Sequence, residues 1–578
     1  MRIVGMLTVA TLASRSLFGQ VADSNIAIPM RDGVVLRAVV MRPAAIGRFP
    51  VLVYRTPYGA ASATASYTTF RRAVERGYAV VAQDVRGRYQ SDGEFDPYRQ
   101  EGHDGYDTIE WAAAQPWSTG AVGTFGLSYP GAVQWLAAVE APPHLKAMVP
   151  AMTFSSARNF WYAGGLPDLS WPAWILQNIG PDVRHRTGLP GPANYREAMA
   201  WWDAHGDSLI SRLPISDVPE VFAVAPWYRE WLAHPVDDAW WDWADLTTKY
   251  PKVTAAVLNV SGWHDDNYGP EGALTNHLGL MKARPGAADP RSRIILGPWV
   301  HGVAGMINRT AQAKSGERVF GAAAGVDYDE EILRFMDHYV RGVANGVEKA
   351  PRFRVFVMGE NVWRTGDVWP LPGTVQRTLY FDPTGSTGKL SDRAPQAGSR
   401  SITSDPAHPV IDPSKGSGAH DYRWLADRPD VMVFETPPLE ADLRVVGNIG
   451  ADLFVRTDAP DIDVWVRLFD VEPDGTAWNL MSPGLDVMRL SYRHSKRALL
   501  PPGRDIEVVL PNLMTGNLFR KGHRIRAVVS TSFLPYFGRN LQTGRLETES
   551  KETRPATLSL LSGPGDRSHL TLPVLPDR

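Results

Sequence analysis

GTFGLSYPGAVQWLAA, Gly123 to Ala138, sets a single serine where a short apolar run gives way to a helical pattern. Ala121 to Gly126 reads as a strand, and from Gly131 the pattern AVQWLAAVE has the spacing of a helix. Ser128 therefore falls at a strand-to-helix turn, the kind of bend that strains a nucleophile's backbone and lifts its hydroxyl above a sheet. Small neighbours are needed because the chain passes close to itself. Gly126 supplies one; the second glycine of a G-x-S-x-G pattern is displaced, with Pro130 in its place and Gly131 following. Proline is tolerated there because the first helical turn has no intrahelical partner for its N–H. A bare G-x-S is most often a loop serine, so its meaning depends on what lies around it.

Around it lie uniformly apolar, β-branched runs: FPVLVYRT (Phe49 to Thr56), GYAVVAQDVRG (Gly77 to Gly87), AAVLNVSGW (Ala255 to Trp263) and RIILGPW (Arg293 to Trp299). Such runs, alternating with helical patterns, predict an α/β class with a parallel sheet buried on both faces. In an α/β-hydrolase the triad follows the chain order Ser, acid, His, the last two on loops after late strands. Here one strand ends in His264-Asp265-Asp266 and a later one in Val300-His301-Gly302. Both lie where open α/β sheets keep their chemistry. Ser128, Asp265 and His301 are the predicted catalytic set, the histidine taking the serine's proton and the acid fixing its tautomer. Singly, His301 would be a packing histidine and Asp265 a helix cap; the order of the three argues otherwise. A metal reading of His103, Asp104, His264, Asp265 and His301 lacks any H-x-x-x-H or H-E-x-x-H pair.

The rest of the 578 residues divides by texture. Residues 23–150 and 251–368 read as two parts of an α/β-hydrolase core. Between them, 151–250 loses its strand signals and holds ten of the 20 tryptophans, which suggests a helical cap whose rings in part line a pocket. After about Pro370 the pattern turns to period two: DVWVRLFDVEPDGTAWNLM (Asp463 to Met481) reads as a hairpin and KGHRIRAVVSTS (Lys521 to Ser532) as a strand. Residues 369–578 are expected to form an all-β jelly roll. Asp458, Asp461 and Asp463 invite a calcium reading, but fit a turn before a strand better.

A net charge of -2 without basic runs predicts no nucleic-acid partner. Cysteine is absent, which excludes disulfides, thiolate nucleophiles and cysteine-bound zinc. Residues 1–22, basic and then apolar from Ile3 to Ala13, resemble a secretory signal and predict export to periplasm or medium, the alternative being an N-terminal strand or a misplaced start in a cytoplasmic protein; the run is too short to span a bilayer, so no integral membrane segment is expected. Nothing in the chain speaks to oligomeric state.

GLSYPG around Ser128, GWHD at Gly262 to Asp265, GPWVHG at Gly297 to Gly302, DVRGRYQSDGEF at Asp84 to Phe95 and GHRIRAVVSTSFLPYFGRNLQTG at Gly522 to Gly544 together resemble the cocaine-esterase-like family of serine hydrolases. That group includes α-amino-acid ester hydrolases and is similar to the X-Pro dipeptidyl-peptidases. HPVDDAWW (His234 to Trp241) and VMGENVWR (Val357 to Arg364) extend the likeness over nearly the whole chain after the leader. The resemblance implies an α/β-hydrolase core, a helical cap and a C-terminal jelly roll, with no cofactor. It also implies an oxyanion hole from the backbone N–H of Tyr129 and the hydroxyl of Tyr58 in RTPYG. Asp265 is preferred to Asp266 as the acid because it directly follows the aromatic slot filled by His264. Arg86, in DVRG, is expected to pair with carboxylates and buttress the active-site loops.

These residues predict a serine hydrolase acting on a small-molecule ester or amide through an acyl-enzyme. In the amino-acid-ester branch, acids soon after the catalytic aspartate grip a substrate ammonium. Here Asp266-Asn267-Tyr268 follows, so an uncharged acyl group held by Trp161, Tyr162 and Trp263 is expected instead. Dipeptidyl-peptidase activity would need an amine anchor, for which Glu271 or Asp168 could serve. The reading from another class is a catalytically inactive binding protein that uses its jelly roll.

Overall fold

The computed structural model describes residues 20–284, 291–385, 387–414, 417–494, 496–501, 503–565 and 567–576. The leader at 1–22 thus lies almost wholly outside the described residues.

A ten-stranded sheet forms the N-terminal half. Its strands are β1 (Val21–Pro29), β2 (Val35–Arg42), β3 (Phe49–Thr56), β4 (Ala79–Asp84), β5 (Ser118–Leu127), β6 (Leu145–Ala151), β7 (Ala256–His264), β8 (Ser292–Val300), β9 (Phe353–Val357) and β10 (Val362–Gly366), in the spatial order β1-β2-β4-β3-β5-β6-β7-β8-β9-β10. From β4 across to β9 every neighbouring pair is parallel, and the edges are closed by antiparallel partners. The apolar runs explain this: β4 and β7 are buried along their whole length, as strands covered by helices on both faces must be. Each fully buried Val, Leu or Ile contributes roughly 1.5–3 kcal/mol of transfer free energy. Parallel neighbours place the ends of β3, β5, β7 and β8 along one rim, and the predicted site residues follow those four ends.

Between β6 and β7 the chain is mostly helical, with Gly180–Thr187, Tyr195–Ile210 and Tyr228–Ala233 as its main α-helices. It also contains a two-residue hairpin, Tyr162–Ala163 with Leu166–Pro167, that the loss of strand signals did not anticipate. Rings dominate its interior: Trp231 lies 5.0 Å from both Trp171 and Trp227, centroid to centroid.

Residues from Val375 onward build a twelve-stranded, mostly antiparallel sheet assembly. Its longest ladder pairs Leu443–Thr457 with Asp505–Phe519. The expected hairpin over 463–481 is present, with Val471 opposite Ala477 and Gly475 at φ 92°, although its return strand is only three residues. Two backbone hydrogen bonds tie this assembly to the sheet: Met358 N–H to the Gly516 carbonyl and Leu518 N–H to the Met358 carbonyl, each 2.8 Å. Asp458, Asp461 and Asp463 do not converge; they accept from Arg554, Ser491 and Arg489 in turn, as residues of a turn before a strand would.

Candidate active site

Ser128 leaves β5 with φ 67° and ψ -126°, a left-handed conformation that costs a non-glycine residue about 1–3 kcal/mol. The following helix, Tyr129–Ala138, begins two residues earlier than its apolar spacing suggested. Two glycines permit the bend. A Cβ on Gly126 would lie 2.5 Å from the Cβ of Pro130, and one on Gly131 would lie 2.5 Å from the Ala151 carbonyl oxygen. Gly131 is thus the position where the helix presses against β6, which is why the second glycine stands one residue later than in G-x-S-x-G. As the first helical residue, Tyr129 has a backbone N–H without an intrahelical acceptor. Its side chain points down and is fully buried, donating to Glu101 Oε1 at 2.7 Å. Glu101 in turn meets Arg55 at 2.8 Å, so the turn stands on a buried charge pair.

His301 follows β8 and its Nδ1 lies 2.8 Å from Asp265 Oδ1. A carboxylate on Nδ1 fixes the tautomer that leaves Nε2 as the basic nitrogen. Asp265, fully buried after β7, also accepts from the Asn267 N–H at 3.2 Å. Burial works to lower the His301 pKa, but the charge of Asp265, its hydrogen bond and the neighbouring Asp266 carry it above the ordinary 6.5. Asp266 goes elsewhere: it accepts from the hydroxyl of Ser417 in the C-terminal assembly.

Two phenols face the Ser128 hydroxyl. Tyr58, in the loop after β3, accepts from Trp174 Nε1 at 2.9 Å. Burial pushes its pKa up to about 12, with the hydrogen bonds to Trp174 and Ser128 pulling the other way. Tyr268 is the second. Its hydroxyl is 3.2 Å from that of Tyr98, it also meets Ser128, and its ring centroid is 5.7 Å from that of His301. Tyr268 is therefore the neighbour shared by serine and histidine. Sequence reasoning missed both Tyr268 and Trp174; Tyr268 carries a faint signal, as the cap residue of the helix Gly269–Ala283 that follows the acid.

The predicted pocket aromatics separate. Tyr162 lines a narrow cavity of about 30 Å³ together with Tyr268, Asp168, Asp266 and Glu271. Trp161 does not; it is 1% exposed and packs edge-on against Tyr228 and Trp231 inside the helical insertion. Trp263 is also corrected: its indole is fully buried and donates to the Phe356 carbonyl at 2.7 Å, under Gly516 of the C-terminal assembly. Trp263 lies within β7, whereas Asp265 lies past its end in a turn whose N–H returns to the Gly262 carbonyl, so the turn that carries the acid to the rim does not carry this ring.

The cavity also contains the two acids considered as amine anchors, Asp168 and Glu271, together with Asp266. Burial raises Asp168 to about 7, against hydrogen bonds from Ser170, and raises Glu271 to about 7, against one from Asn512. Burial raises Asp266 likewise, opposed by Ser417 and His301. Asp168 from the insertion, and Asp266 and Glu271 from the segment after β7, thus line one cavity. Arg86 pairs with Asp104 at 2.6 Å and Asp32 at 2.9 Å, the buttress expected of it. His264 is buried with neither ring nitrogen hydrogen-bonded, and among the described residues no group of three metal-ligating side chains converges.

Residues 32–303 match the model of the X-Pro dipeptidyl-peptidase (S15 family), and residues 345–571 that of the X-Pro dipeptidyl-peptidase C-terminal non-catalytic domain. A cocaine esterase of Rhodococcus sp. (strain MB1 Bresler) is 33% identical, covering 96% of this chain and 98% of its own. Among solved structures, an aminopeptidase from the marine sediment archaeon Thaumarchaeota archaeon superposes with a TM-score of 0.81 at 24% identity, covering 100% of this chain and 99% of its own. An α-amino acid ester hydrolase superposes with a TM-score of 0.79, also at 24% identity, covering 99% of each chain. At that identity the two structures speak for a shared fold.

Proposed function

The chain belongs to the cocaine-esterase (CocE/NonD) family of serine hydrolases, and from that premise we propose that it cleaves an ester or amide through an acyl-enzyme on Ser128. The observation that carries this reading is the 2.8 Å contact between His301 Nδ1 and Asp265, beside a serine held at φ 67°. Ser128 Oγ attacks the substrate carbonyl while His301 Nε2 takes its proton. The oxyanion that forms is held by the Tyr129 N–H and the Tyr58 hydroxyl. His301 then gives the proton to the leaving oxygen or nitrogen, and a water repeats the sequence to free the acid. The helical insertion serves as a cap over this site and the C-terminal assembly as a jelly roll closing its far wall. Residues 1–22 direct export.

The three carboxyls favour a second, narrower reading: an acyl group bearing an amine, as α-amino-acid ester hydrolases and X-Pro dipeptidyl-peptidases require. Buried carboxyls raised by desolvation regain their charge when a cation joins them. An ammonium is the cation that such a substrate would bring.

Fluorophosphonate labelling tests the first reading. Covalent mass on Ser128, lost in Ser128→Ala together with roughly 10⁶-fold of the hydrolysis rate, supports it. Folded protein that resists the label would instead be the inactive binding protein.

A further inference from the structure

Tyr58 has a second neighbourhood. On the side of β3 and the first helices, it borders a cleft of about 970 Å³ that the mechanism above does not use. One wall is the core, with Tyr67 and Tyr89; the other is the helical insertion, from Gln177 to Tyr195. Acyl pockets for apolar groups are lined mostly by hydrophobic side chains. This cleft is different. Tyr67, Tyr89 and Tyr195 are 46%, 36% and 56% exposed, so parts of their phenol rings stand open to solvent. Between them lie the amides of Gln90, Gln177 and Asn178, which offer both donors and acceptors without charge.

Asp182 and Arg186 of the cleft have partners within the chain, and His185 lines it beside them. Asp182 accepts from Arg88 at 3.2 Å and from the Tyr89 N–H at 3.2 Å, and Arg186 donates to the Gly87 carbonyl. Most of what faces a ligand is neutral: open aromatic rings for C–H faces, and amides and phenols for hydroxyls. An apolar alcohol would leave those amides unpaired on desolvation, which is costly. A polyhydroxylated one would satisfy them and lay its ring on the tyrosines.

We infer that this cleft is the leaving-group subsite and that it takes a polyhydroxylated, uncharged alcohol, a sugar, so that the substrate is a sugar ester. The inference rests on the serine-hydrolase reading, since Tyr58 connects the cleft to Ser128 only if it faces the developing oxyanion there. The reaction balances as ordinary hydrolysis: the acyl–oxygen bond breaks, the sugar oxygen receives the His301 proton, and water completes the acid.

The test compares two acetates that share an acyl group and differ in their alcohol, glucose 6-acetate and cyclohexylmethyl acetate. The wild-type protein is expected to show a kcat/KM at least tenfold higher for the glucose ester. In Tyr195→Ala and Gln177→Ala, that preference should fall at least tenfold, chiefly through KM for the glucose ester. Tyr195 is the exposed first residue of its helix, so its truncation leaves the core untouched. Equal rates for the two acetates, a preference for the apolar one, or a preference unmoved in both variants overturns the subsite. If neither acetate is cleaved and Ser128 also resists the fluorophosphonate, the hydrolase reading itself has failed, and the subsite with it.

Discussion

In the C-terminal assembly Arg489 sits between Asp463, at 2.9 Å, and Glu547, at 2.7 Å, all three essentially without solvent contact. Arg318, from the segment between β8 and β9, and the assembly's His523 share Asp470, and Arg467 meets Asp486. Burial works against the charge on Arg489, yet its two carboxylates carry its pKa well above the ordinary value. At the rim of the large sheet the arrangement is reversed. Asp168, Asp266 and Glu271 have peptide, hydroxyl and amide partners, and among the described residues none of them forms an ion pair. Buried charge that is matched within the chain holds a fold in register. Buried acid left without a cation beside the candidate site is the exception to that pattern.

The sharpest contrast lies between adjacent acids. Asp265→Asn should lower kcat by about 10⁴-fold, because the amide imposes the wrong tautomer on His301. Asp266→Asn removes only a nearby charge and should cost no more than about tenfold. Equal losses in steady-state kinetics would erase the distinction between them. On the other side of the comparison, Arg489→Met strands Asp463 and Glu547 without a cation and should cost about 3–5 kcal/mol in denaturant unfolding. Asp168→Asn, in the same assay, should be neutral or stabilising, since it removes a buried acid that nothing neutralises. Tyr58→Phe deletes one oxyanion donor, for a loss of about 10²-fold in kcat with little change in stability.

The smallest effect is one of pH. His301 acts as a base only when neutral, and its pKa lies above 6.5, so activity on neutral esters should fall as pH drops through a value above 6.5. Asp168 and Glu271 ionise near 7. The ratio of kcat/KM for an aminoacyl ester to that for a neutral ester should therefore rise several-fold as pH climbs through 7. It should turn over near the α-amine pKa of about 7.7. Taking the ratio cancels His301, and a flat ratio would remove the ammonium from the narrower reading.

What was legible in the sequence is what local chain geometry controls. Ser128, Asp265 and His301 each follow a strand end, and apolar runs reveal strand ends. Gly126 and Gly131 mark the elbow for the same reason. Lateral contacts were legible only as candidates by residue type: Asp168 and Glu271 stood as possible amine anchors, whereas nothing along the chain signalled that Ser417 of the C-terminal assembly meets Asp266. The acids immediately after Asp265 pointed to an uncharged acyl group, whereas the fold brings Asp168 of the insertion into the same cavity as Asp266 and Glu271. Trp161 and Trp263 failed similarly, because aromatic density locates a core and not the direction in which a ring faces.

The pair of backbone hydrogen bonds at Met358, with the Trp263 indole clasped under Gly516 beside them, has a thermal consequence. Neither half can melt first without stranding peptide groups and baring a tryptophan that the other half covers. Heating should accordingly yield a single calorimetric peak, with tryptophan fluorescence changing at the temperature where helix and strand signals vanish together.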